Sequence, residues 1–177
     1  MIDFNQNEVK FISINIALLT ISDSRSENED ESGDLLNERI ANFGHTVKKR
    51  LIIKDDVALI KQTFLDLSND PVIDVIISTG GTGLTGRDST PEAVMAIADK
   101  TIDGFGELFR QLSFNKIATS TIQSRAIGAV VNHTYIFCLP GSPNACKDGW
   151  DDILQYQLDI RYRPCNFIEI MPRLNEK

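Results

Sequence analysis

The chain is poor in the residues that build disulfide frameworks, metal clusters and membrane spans. Its 177 residues include three cysteines and two histidines. Cys138, Cys146 and Cys165 have neither the even number of a disulfide framework nor the CxxC spacing of a zinc site, and they are predicted to be buried or half-buried thiols. No uncharged stretch approaches the roughly 20 residues that cross a bilayer. We therefore expect a reduced, cytoplasmic protein without a membrane segment.

Positive charge is also scarce. The formal net charge is −7, and no basic cluster is larger than Lys48-Lys49-Arg50. Nucleic-acid binding requires a cationic face, so nucleic acid is not an expected partner. A phosphate-bearing ligand has to be held by backbone geometry or by a metal ion instead.

The chain does contain enough apolar residues for one core. It is 42% hydrophobic and 24% charged, which predicts a single domain over residues 1–177. Residues 1–12 are predicted to be a flexible N-terminal extension. We find no internal repeat and no low-complexity segment.

Strands and helices alternate over the first eighty residues. The apolar patterns predict strands over residues 14–20, 46–53 and 72–79, with a helix capped by Ser32 and closed by Gly44, and a second helix capped by Asp55 or Asp56. This alternation requires a largely parallel sheet with right-handed crossovers. The fold prediction is a three-layer α/β domain.

The second half of the chain is predicted with fewer strands. Thr90-Pro91-Glu92 starts a helix, and shorter helices are expected over residues 103–113 and 121–129. A fourth strand over residues 135–139 precedes a helix over residues 144–158. Residues 167–171 are interpreted as an edge strand or a subunit contact.

The most informative segment follows the predicted third strand and covers residues 78–91; its central part, residues 80–89, is called the glycine loop below. A glycine-rich turn at the end of a buried strand can offer backbone N–H groups to a phosphate. Gly81-x-Gly83-x-x-Gly86 fits the dinucleotide pattern, but that pattern belongs after the first strand. A P-loop needs lysine where Arg87 stands. The segment is interpreted as a phosphate-binding loop of another kind, with a plain turn as the alternative.

Three aspartates, Asp23, Asp55 and Asp88, lie near predicted strand ends. The carboxyl ends of parallel strands can face one crevice, so these side chains could converge on the glycine loop. A carboxylate beside a phosphate repels it unless a divalent cation lies between them, which favours Mg²⁺. The alternatives are an ordinary capped loop for Asp23, a helix cap for Asp55 and a turn carboxylate for Asp88.

Two further features have weaker implications. Pro140-Gly-Ser-Pro143, called the proline loop below, is either a tight turn or a second source of N–H groups for a phosphate or a polar ring. His45 follows a helix end and His133 sits in a hairpin-like turn, so neither is expected to be catalytic or metal-bound. We find no Ser-His-Asp or Cys-His arrangement.

Several motifs together resemble the MoaB/Mog family of molybdenum cofactor biosynthesis. They are Thr20-x-Ser-Asp23, Thr79-Gly-Gly-Thr-Gly83, Arg87-Asp-x-Thr-Pro-Glu92, Gly104-Phe-Gly-Glu107, Ser124-Arg125 and Pro140-Gly-x-Pro143 with Asn144. The similarity extends from Ile14 to Asn166. The segments over residues 104–114, 119–125 and 163–167 are similar to the MoaB branch in particular.

The resemblance implies an α/β fold that assembles as a trimer or a dimer of trimers. Mog-type and gephyrin-type members transfer an adenylyl group from Mg-ATP to the terminal phosphate of molybdopterin and release pyrophosphate. The resemblance thus implies Mg²⁺ as cofactor, ATP as co-substrate with GTP as the alternative nucleotide, and molybdopterin as substrate. Asp55 and Asp88 match the carboxylates that the family uses for Mg²⁺ and adenylyl transfer. The implied pterin and nucleotide contacts are Thr20, Ser22, Asp23, Thr79, Gly80, Gly81, Thr82, Gly83, Arg87, Ser124, Arg125, Pro140, Gly141, Ser142 and Asn144.

Three function classes follow from these observations. The first is a molybdopterin adenylyltransferase, favoured because residues 87–91 resemble the active Mog type. The second is a pterin- or nucleotide-binding protein of the same pathway without turnover. The third is a scaffold in which the glycine loop is only structural.

Overall fold

A six-stranded sheet forms the middle of the molecule, whose computed structural model describes residues 9–24 and 29–176. The strands are β1 (Asn15–Ile21), β2 (Thr46–Ile53), β3 (Val75–Thr79), β4 (Lys100–Thr101), β5 (Ile127–Val131) and β6 (Thr134–Leu139). They lie in the order β2-β1-β3-β6-β5-β4. Strands β2, β1, β3 and β6 pair in parallel, and β5 pairs antiparallel with both β6 and β4. The predicted, mostly parallel sheet is confirmed.

Helices cover both faces of this sheet. They are α1 (Glu31–Phe43), α2 (Val57–Ser68), α3 (Thr90–Met95), α4 (Asp103–Ile117), α5 (Pro143–Gly149), α6 (Gln155–Gln157) and α7 (Phe167–Ile170). A 3-10 helix (Ala118–Gln123) extends α4, a π-helical turn (Trp150–Leu154) joins α5 to α6, and a 3-10 turn (Met171–Arg173) follows α7. The predicted helix over residues 144–158 is thus present as one helical stretch.

Alternation along the strands divides the core into two parts. In β1, Ile16 and Leu18 belong to a cluster with Phe105 and Trp150. Their neighbours Ala17 and Leu19 belong to a second cluster, which also holds Ile60, Phe64 and Val94. Successive strand residues face opposite sides of a sheet, so α1, α4 and α5 cover one face and α2 and α3 cover the other. This is the predicted three-layer arrangement.

Of the two predicted helix caps, Ser32 of α1 is wrong, whereas Asp56, one of the two candidates for α2, is confirmed. The buried Asp30 caps α1 by accepting the N–H of Gly33 at 3.0 Å, whereas Ser32 lies inside the helix. Asp56 caps α2 by accepting the N–H of Leu59 at 2.9 Å. A carboxylate is as good a cap as a hydroxyl, and in both helices the capping residue is the one immediately before the first helical turn. Gly44 closes α1 in the left-handed conformation, as predicted.

Two elements were predicted with the wrong secondary structure. Residues 121–129 were expected to be helical, but they contain the end of the 3-10 helix and most of β5. Short apolar runs do not separate buried strands from buried helices, and here the hairpin turn at Asn132 and His133, with φ of 47° and 70°, selects the strand. Residues 167–171 form α7 and the start of a 3-10 turn rather than an edge strand, because Asn166 caps the helix by accepting the N–H of Glu169.

Other helices and strands begin or end at residues different from those predicted. Helix α4 continues to Ile117 beyond the predicted end at residue 113, and β3 begins at Val75 rather than at residue 72. Most of the predicted N-terminal extension lies outside the described residues, which begin at residue 9. Phe11 already packs on the domain, with its ring centroid 5.0 Å from that of His45. The packed domain therefore starts before residue 13.

Cys138 and Cys146 are buried and Cys165 is exposed. The prediction of buried or half-buried thiols is thus right for the first two and wrong for Cys165, which follows the last long helix in an irregular surface segment. Among the described residues no helix is both long and apolar enough to cross a membrane.

Candidate functional site

A cavity of about 680 Å³ opens beside the carboxyl ends of β3 and β6. The glycine loop and the proline loop form one wall, and α4 and the start of α5 form the other. The lining residues are Gly80, Gly81, Thr82, Gly83, Asp88, Phe109, Ser113, Lys116, Ile117, Gln123, Ser124, Pro140, Gly141, Ser142, Pro143, Asn144, Ala145 and Asp148. This volume is in the range of small-molecule sites.

The backbone of the glycine loop requires glycine at its first two positions. Gly80 has φ of 100° and Gly81 has φ of 63°. A Cβ on Gly80 would lie 2.1 Å from the carbonyl oxygen of Ile21. The loop is then fastened to α3, because Thr90 donates its N–H to the carbonyl of Gly81 and its hydroxyl to that of Gly80, at 3.0 and 3.1 Å. The result is a fixed stretch of backbone without side chains at three of its first four positions.

Each loop of the cavity wall is hydrogen-bonded to the end of the strand that leads into the other loop. Gly80 donates its N–H to the carbonyl of Leu139, and Thr79 donates its hydroxyl to the carbonyl of Pro140, both at 3.0 Å. Ser32, inside α1, donates its hydroxyl to the carbonyl of Gly141 at 2.8 Å. Ser142 caps α5 by accepting the N–H of Ala145. Both loops are therefore held at the same edge of the sheet by contacts from three elements.

Asp55 lies against the glycine loop, and Asp88 is part of that loop, as the sequence predicted. Asp55 accepts the hydroxyl and the N–H of Ser89 through Oδ1, at 2.7 and 3.2 Å. Its Oδ2 lies 2.7 Å from the place where a Cβ on Gly81 would stand, and Asp88 Oδ2 lies at the same distance from that place on Gly83. Each carboxylate thus covers one glycine whose side chain would displace it.

Asp88 is held in its ionised form. Its Oδ2 accepts the N–H and the hydroxyl of Thr85 at 2.8 and 2.6 Å. Burial opposes ionisation, but these bonds, the Gly83 amide and the charge of Arg125 outweigh it, so the pKa of Asp88 lies below its ordinary value. At neutral pH this rim of the cavity therefore carries a negative charge.

Asp23 and Arg87 pair with each other on the β1 side of the glycine loop. Arg87 Nη2 lies 2.8 Å from Asp23 Oδ2, and Asp23 Oδ1 accepts the N–H of Asp55 at 3.3 Å. This pair connects the end of β1, the end of β2 and the glycine loop. Neither side chain lines the cavity.

The opposite wall contains residues that the sequence analysis missed. Phe109, Ser113, Lys116 and Ile117 come from α4, and Asp148 comes from α5. Lys116 Nζ lies 2.6 Å from Asp148 and 2.7 Å from Asp152, so its charge is already paired. The spacing of the four α4 residues fits one helical face, which is a signal of burial but does not reveal that the face borders a cavity.

The structure brings together ten of the predicted site residues at the cavity: Gly80, Gly81, Thr82, Gly83, Asp88, Ser124, Pro140, Gly141, Ser142 and Asn144. Ser22, Asp23, Asp55 and Arg87 are not among the lining residues. Thr20 and Thr79 are buried within strands. Thr20 donates its hydroxyl to Asp30 at 2.8 Å, and Arg125 contacts the glycine loop without lining the cavity. The predicted contacts of these residues with a ligand stay predictions.

The donor set beside the glycine loop fits Mg²⁺. Among residues 9–24 and 29–176 no group of three or more His, Cys, Asp and Glu is arranged to hold a metal. Mg²⁺ is usually held by one or two carboxylates together with substrate phosphates and water. Asp55 and Asp88 supply such hard oxygen atoms at a loop that has three glycines in its first four positions. They would hold the ion together with a phosphate rather than in a closed protein cage.

Comparison with known proteins agrees with this architecture. A family model described as "Probable molybdopterin binding domain" matches residues 17–159. Molybdenum cofactor biosynthesis protein B of Escherichia coli (strain K12) is 45% identical over 164 residues, which cover 92% of this chain and 96% of that protein.

Comparison with solved structures also agrees with this architecture. The crystal structure of a molybdenum cofactor biosynthesis protein B superposes with a TM-score of 0.84 at 36% identity, over 94% of this chain and 98% of that one. The tungsten cofactor synthesizing protein MoaB from Pyrococcus furiosus has a TM-score of 0.76 at 27% identity, over 93% and 98%. With the fold, the glycine loop and its two carboxylates in place, the chain belongs to the MoaB/Mog family of molybdenum cofactor biosynthesis proteins.

Proposed function

We propose that this protein binds molybdopterin and Mg-ATP and transfers the adenylyl group to the terminal phosphate of molybdopterin, releasing pyrophosphate. The observation that carries the proposal is the position of Asp88. It is an ionised carboxylate at the rim of a cavity of about 680 Å³ whose wall is a side-chain-poor backbone loop. GTP is the alternative nucleotide.

The charges of the cavity wall support a metal-dependent ligand. Among its lining residues the charged ones are Asp88, Lys116 and Asp148, and Lys116 is already paired with Asp148 and Asp152. An anionic ligand would therefore meet a wall with net negative charge. A cation would offset this repulsion, and Mg²⁺ between carboxylate and phosphate oxygens supplies the charge.

For this reaction the protein mainly has to position the two reactants and to compensate their negative charges. The attacking group is a phosphate that is already ionised at neutral pH, so no general base is needed. When bound, Mg²⁺ supplies charge neutralisation between the two anionic reactants. Backbone amides of the glycine loop would orient the phosphates, while Asp55 and Asp88 would supply the oxygen ligands of the ion. The apolar faces of Phe109, Ile117 and Pro143 would exclude water from the remaining wall.

The proposal includes a homo-oligomer, either a trimer or a dimer of trimers. Ile122 is 82% exposed, and Phe114 and Ile117 are each more than half exposed. Phe114 and Ile117 belong to the last turns of α4, and Ile122 belongs to the 3-10 helix that follows. Burial of such a surface by another copy of the chain would remove it from water.

A pyrophosphate-release assay tests the activity. Purified protein with molybdopterin, ATP and Mg²⁺ is expected to release pyrophosphate in proportion to adenylylated pterin. Reactions without molybdopterin, or with EDTA in place of Mg²⁺, should release none. Intact pterin binding with no turnover under any nucleotide would refute the enzyme.

The second candidate is a protein of the same pathway that binds molybdopterin or a nucleotide without turnover. It is favoured by the fact that Asp55 is not among the cavity-lining residues, so the cavity could hold a ligand without using both carboxylates. Calorimetric titration distinguishes the candidates, because a binding protein should keep its affinity for molybdopterin after Asp55→Asn and show no pyrophosphate release.

A further inference from the structure

Arg125 holds the glycine loop from the side that faces away from the cavity. Its Nε donates to the carbonyl of Gly83 and its Nη2 to the carbonyl of Asp88, both at 2.8 Å. Its Nη1 donates to the carboxylate of Glu92 in the first turn of α3. One guanidinium group therefore fastens two points of the loop that are five residues apart, and anchors them to the helix that follows.

The same contacts explain why Arg125 is separate from the ligand site. The cavity is lined by its neighbour Ser124 and by its two loop partners, but not by Arg125 itself. All three of its nitrogen atoms already point to protein acceptors. A planar guanidinium with donors in a fixed fork can satisfy these acceptors together, whereas the single ammonium of lysine cannot.

We propose that Arg125 is a positioning residue, which sets the place of the Asp88 carboxylate at the cavity by clamping the backbone carbonyls of Gly83 and Asp88. The inference rests on the proposed function for its catalytic consequence, but its structural part stands independently. The clamp closes residues 83–88 into one rigid turn, in which Thr85 then donates twice to the Asp88 carboxylate. Movement of either end of the turn would break those two bonds.

Electrostatics around Asp88 point in the same direction. The charged groups near its carboxylate are Arg125 and Glu92; Asp55 bonds the adjacent Ser89, and the Lys116–Asp148 pair lies on the opposite cavity wall. Of Arg125 and Glu92, Arg125 is the positively charged one. Loss of Arg125 would therefore remove the cation near this carboxylate together with the two bonds to the loop carbonyls.

The experiment compares Arg125→Gln, Arg125→Lys and Glu92→Gln with the native protein. The first readout is carbon-13 NMR titration of the aspartate carboxyl groups in the ligand-free protein, with the Asp88 signal assigned by its loss in Asp88→Asn. The second is amide hydrogen exchange over residues 83–88. The third is kcat and KM for pyrophosphate release.

Arg125→Gln and Arg125→Lys are expected to raise the pKa of Asp88 and to speed exchange of the loop amides at least tenfold. They should lower kcat about 10- to 100-fold with a smaller change in KM for ATP, since loss of alignment at the reacting groups has effects of this order. Glu92→Gln should speed exchange of the same amides by a smaller factor. Arg173→Gln is the matched control, because the exposed Arg173 pairs with Glu176 and does not line the cavity, and it should change none of the readouts.

The proposal is overturned if folded Arg125→Gln or Arg125→Lys leaves the Asp88 titration and the loop exchange at native values. If both arginine variants fail to fold, Glu92→Gln decides, and native loop exchange in that variant overturns the proposal. Absence of turnover in the native protein would refute the adenylyltransferase alone, because the titration and exchange measurements need no substrate.

Discussion

At the scale of single residues, hydrogen bonding assigns different tasks to aspartates that look equivalent in the sequence. Asp30 is fully buried and pairs with Arg50 at 2.8 Å while capping α1. Asp56 caps α2 from an exposed position. Asp55 and Asp88 instead lie over glycines of the loop that borders the cavity. The last two are therefore the carboxylates to which the proposed function assigns the metal ion.

Replacing Asp88 or Asp55 by asparagine is expected to lower the rate of pyrophosphate release at least about 100-fold, the order of effect for losing one electrostatic stabiliser. Asparagine keeps the size of the side chain and its capacity to accept from Thr85 or Ser89, but it lacks the charge that holds Mg²⁺. The measurement is kcat at saturating Mg-ATP. Asp66→Asn, on the exposed face of α2 where Asp66 bonds only Gln62, is the control and should be fully active. Full activity of both loop variants would refute the metal argument.

His45 is a buried residue with a structural task. Its Nδ1 accepts the N–H of Ile14 at 3.3 Å, and its ring packs against Phe11, Phe43 and Trp150. Burial lowers its pKa to about 4, in spite of the nearby charge of Asp159 and a backbone contact at Leu158. The folded protein therefore requires the neutral imidazole.

This requirement predicts acid sensitivity. In the unfolded chain histidine binds a proton near pH 6.5, and in the folded chain only near pH 4, so stability that is complete above pH 6.5 is lost as the pH falls between those values. Urea unfolding at pH 7 and pH 4.5 should show a loss about 1–3 kcal/mol larger for the native protein than for His45→Gln. The exposed His133→Gln should behave like the native protein, and equal pH dependence in all three would contradict the prediction.

At the scale of elements, the glycine loop is shaped by backbone contacts with its neighbours. Gly80 lies close to β1 and Gly141 of the proline loop, and its conformation with φ of 100° is one that other residues rarely adopt. Gly86 is in the same loop, but a Cβ there would have no heavy atom within 4 Å. An added side chain would therefore collide with backbone atoms at Gly80 but not at Gly86.

Gly80→Ala should lower the free energy of unfolding by about 2 kcal/mol or more, because the added methyl would collide with the Ile21 carbonyl and the backbone would be strained. Gly86→Ala should change it by no more than about 0.5 kcal/mol, like other surface substitutions. Both values come from urea unfolding followed by circular dichroism. Equal stability of the two variants would show that the loop relaxes around a side chain at position 80.

At the scale of the whole molecule, exposed apolar side chains at the end of α4 offer a candidate contact surface between copies of the chain. Phe114, Ile117 and Ile122 are exposed there, on the layer that contains α1 and α5. Ile117 also lines the cavity. Association of copies through this surface would therefore take place next to the ligand site.

Ile122→Asp is expected to lower the molar mass of the protein in light scattering from that of a trimer or hexamer toward that of one chain, because it places a charge at the most exposed of these apolar side chains. Leu59→Asp is the control; Leu59 is 42% exposed on α2, in the opposite layer of the sheet. Its assembly should be unchanged. An unaltered mass for Ile122→Asp would exclude this surface as the interface.

The sequence by itself determined the α/β class, the first three strands and the helices between them, and the glycine loop after β3. These follow from local information: the period of the apolar residues, the caps and the glycines. The motifs also identified the family. The order of the strands also predicted that Asp55 lies beside the loop that contains Asp88, because the carboxyl ends of parallel strands share one edge of the sheet.

Only the tertiary structure decided which side of the loop each residue occupies. Arg125 and Ser124 are neighbours in the sequence, yet Arg125 binds the loop carbonyls outside the cavity and Ser124 lines the cavity. Residues 127–131 became a strand because β6 and β4 were available to pair with them. The α4 wall of the cavity depends on how a helix packs against a distant loop. Such contacts join residues far apart in the chain, and local patterns cannot encode them.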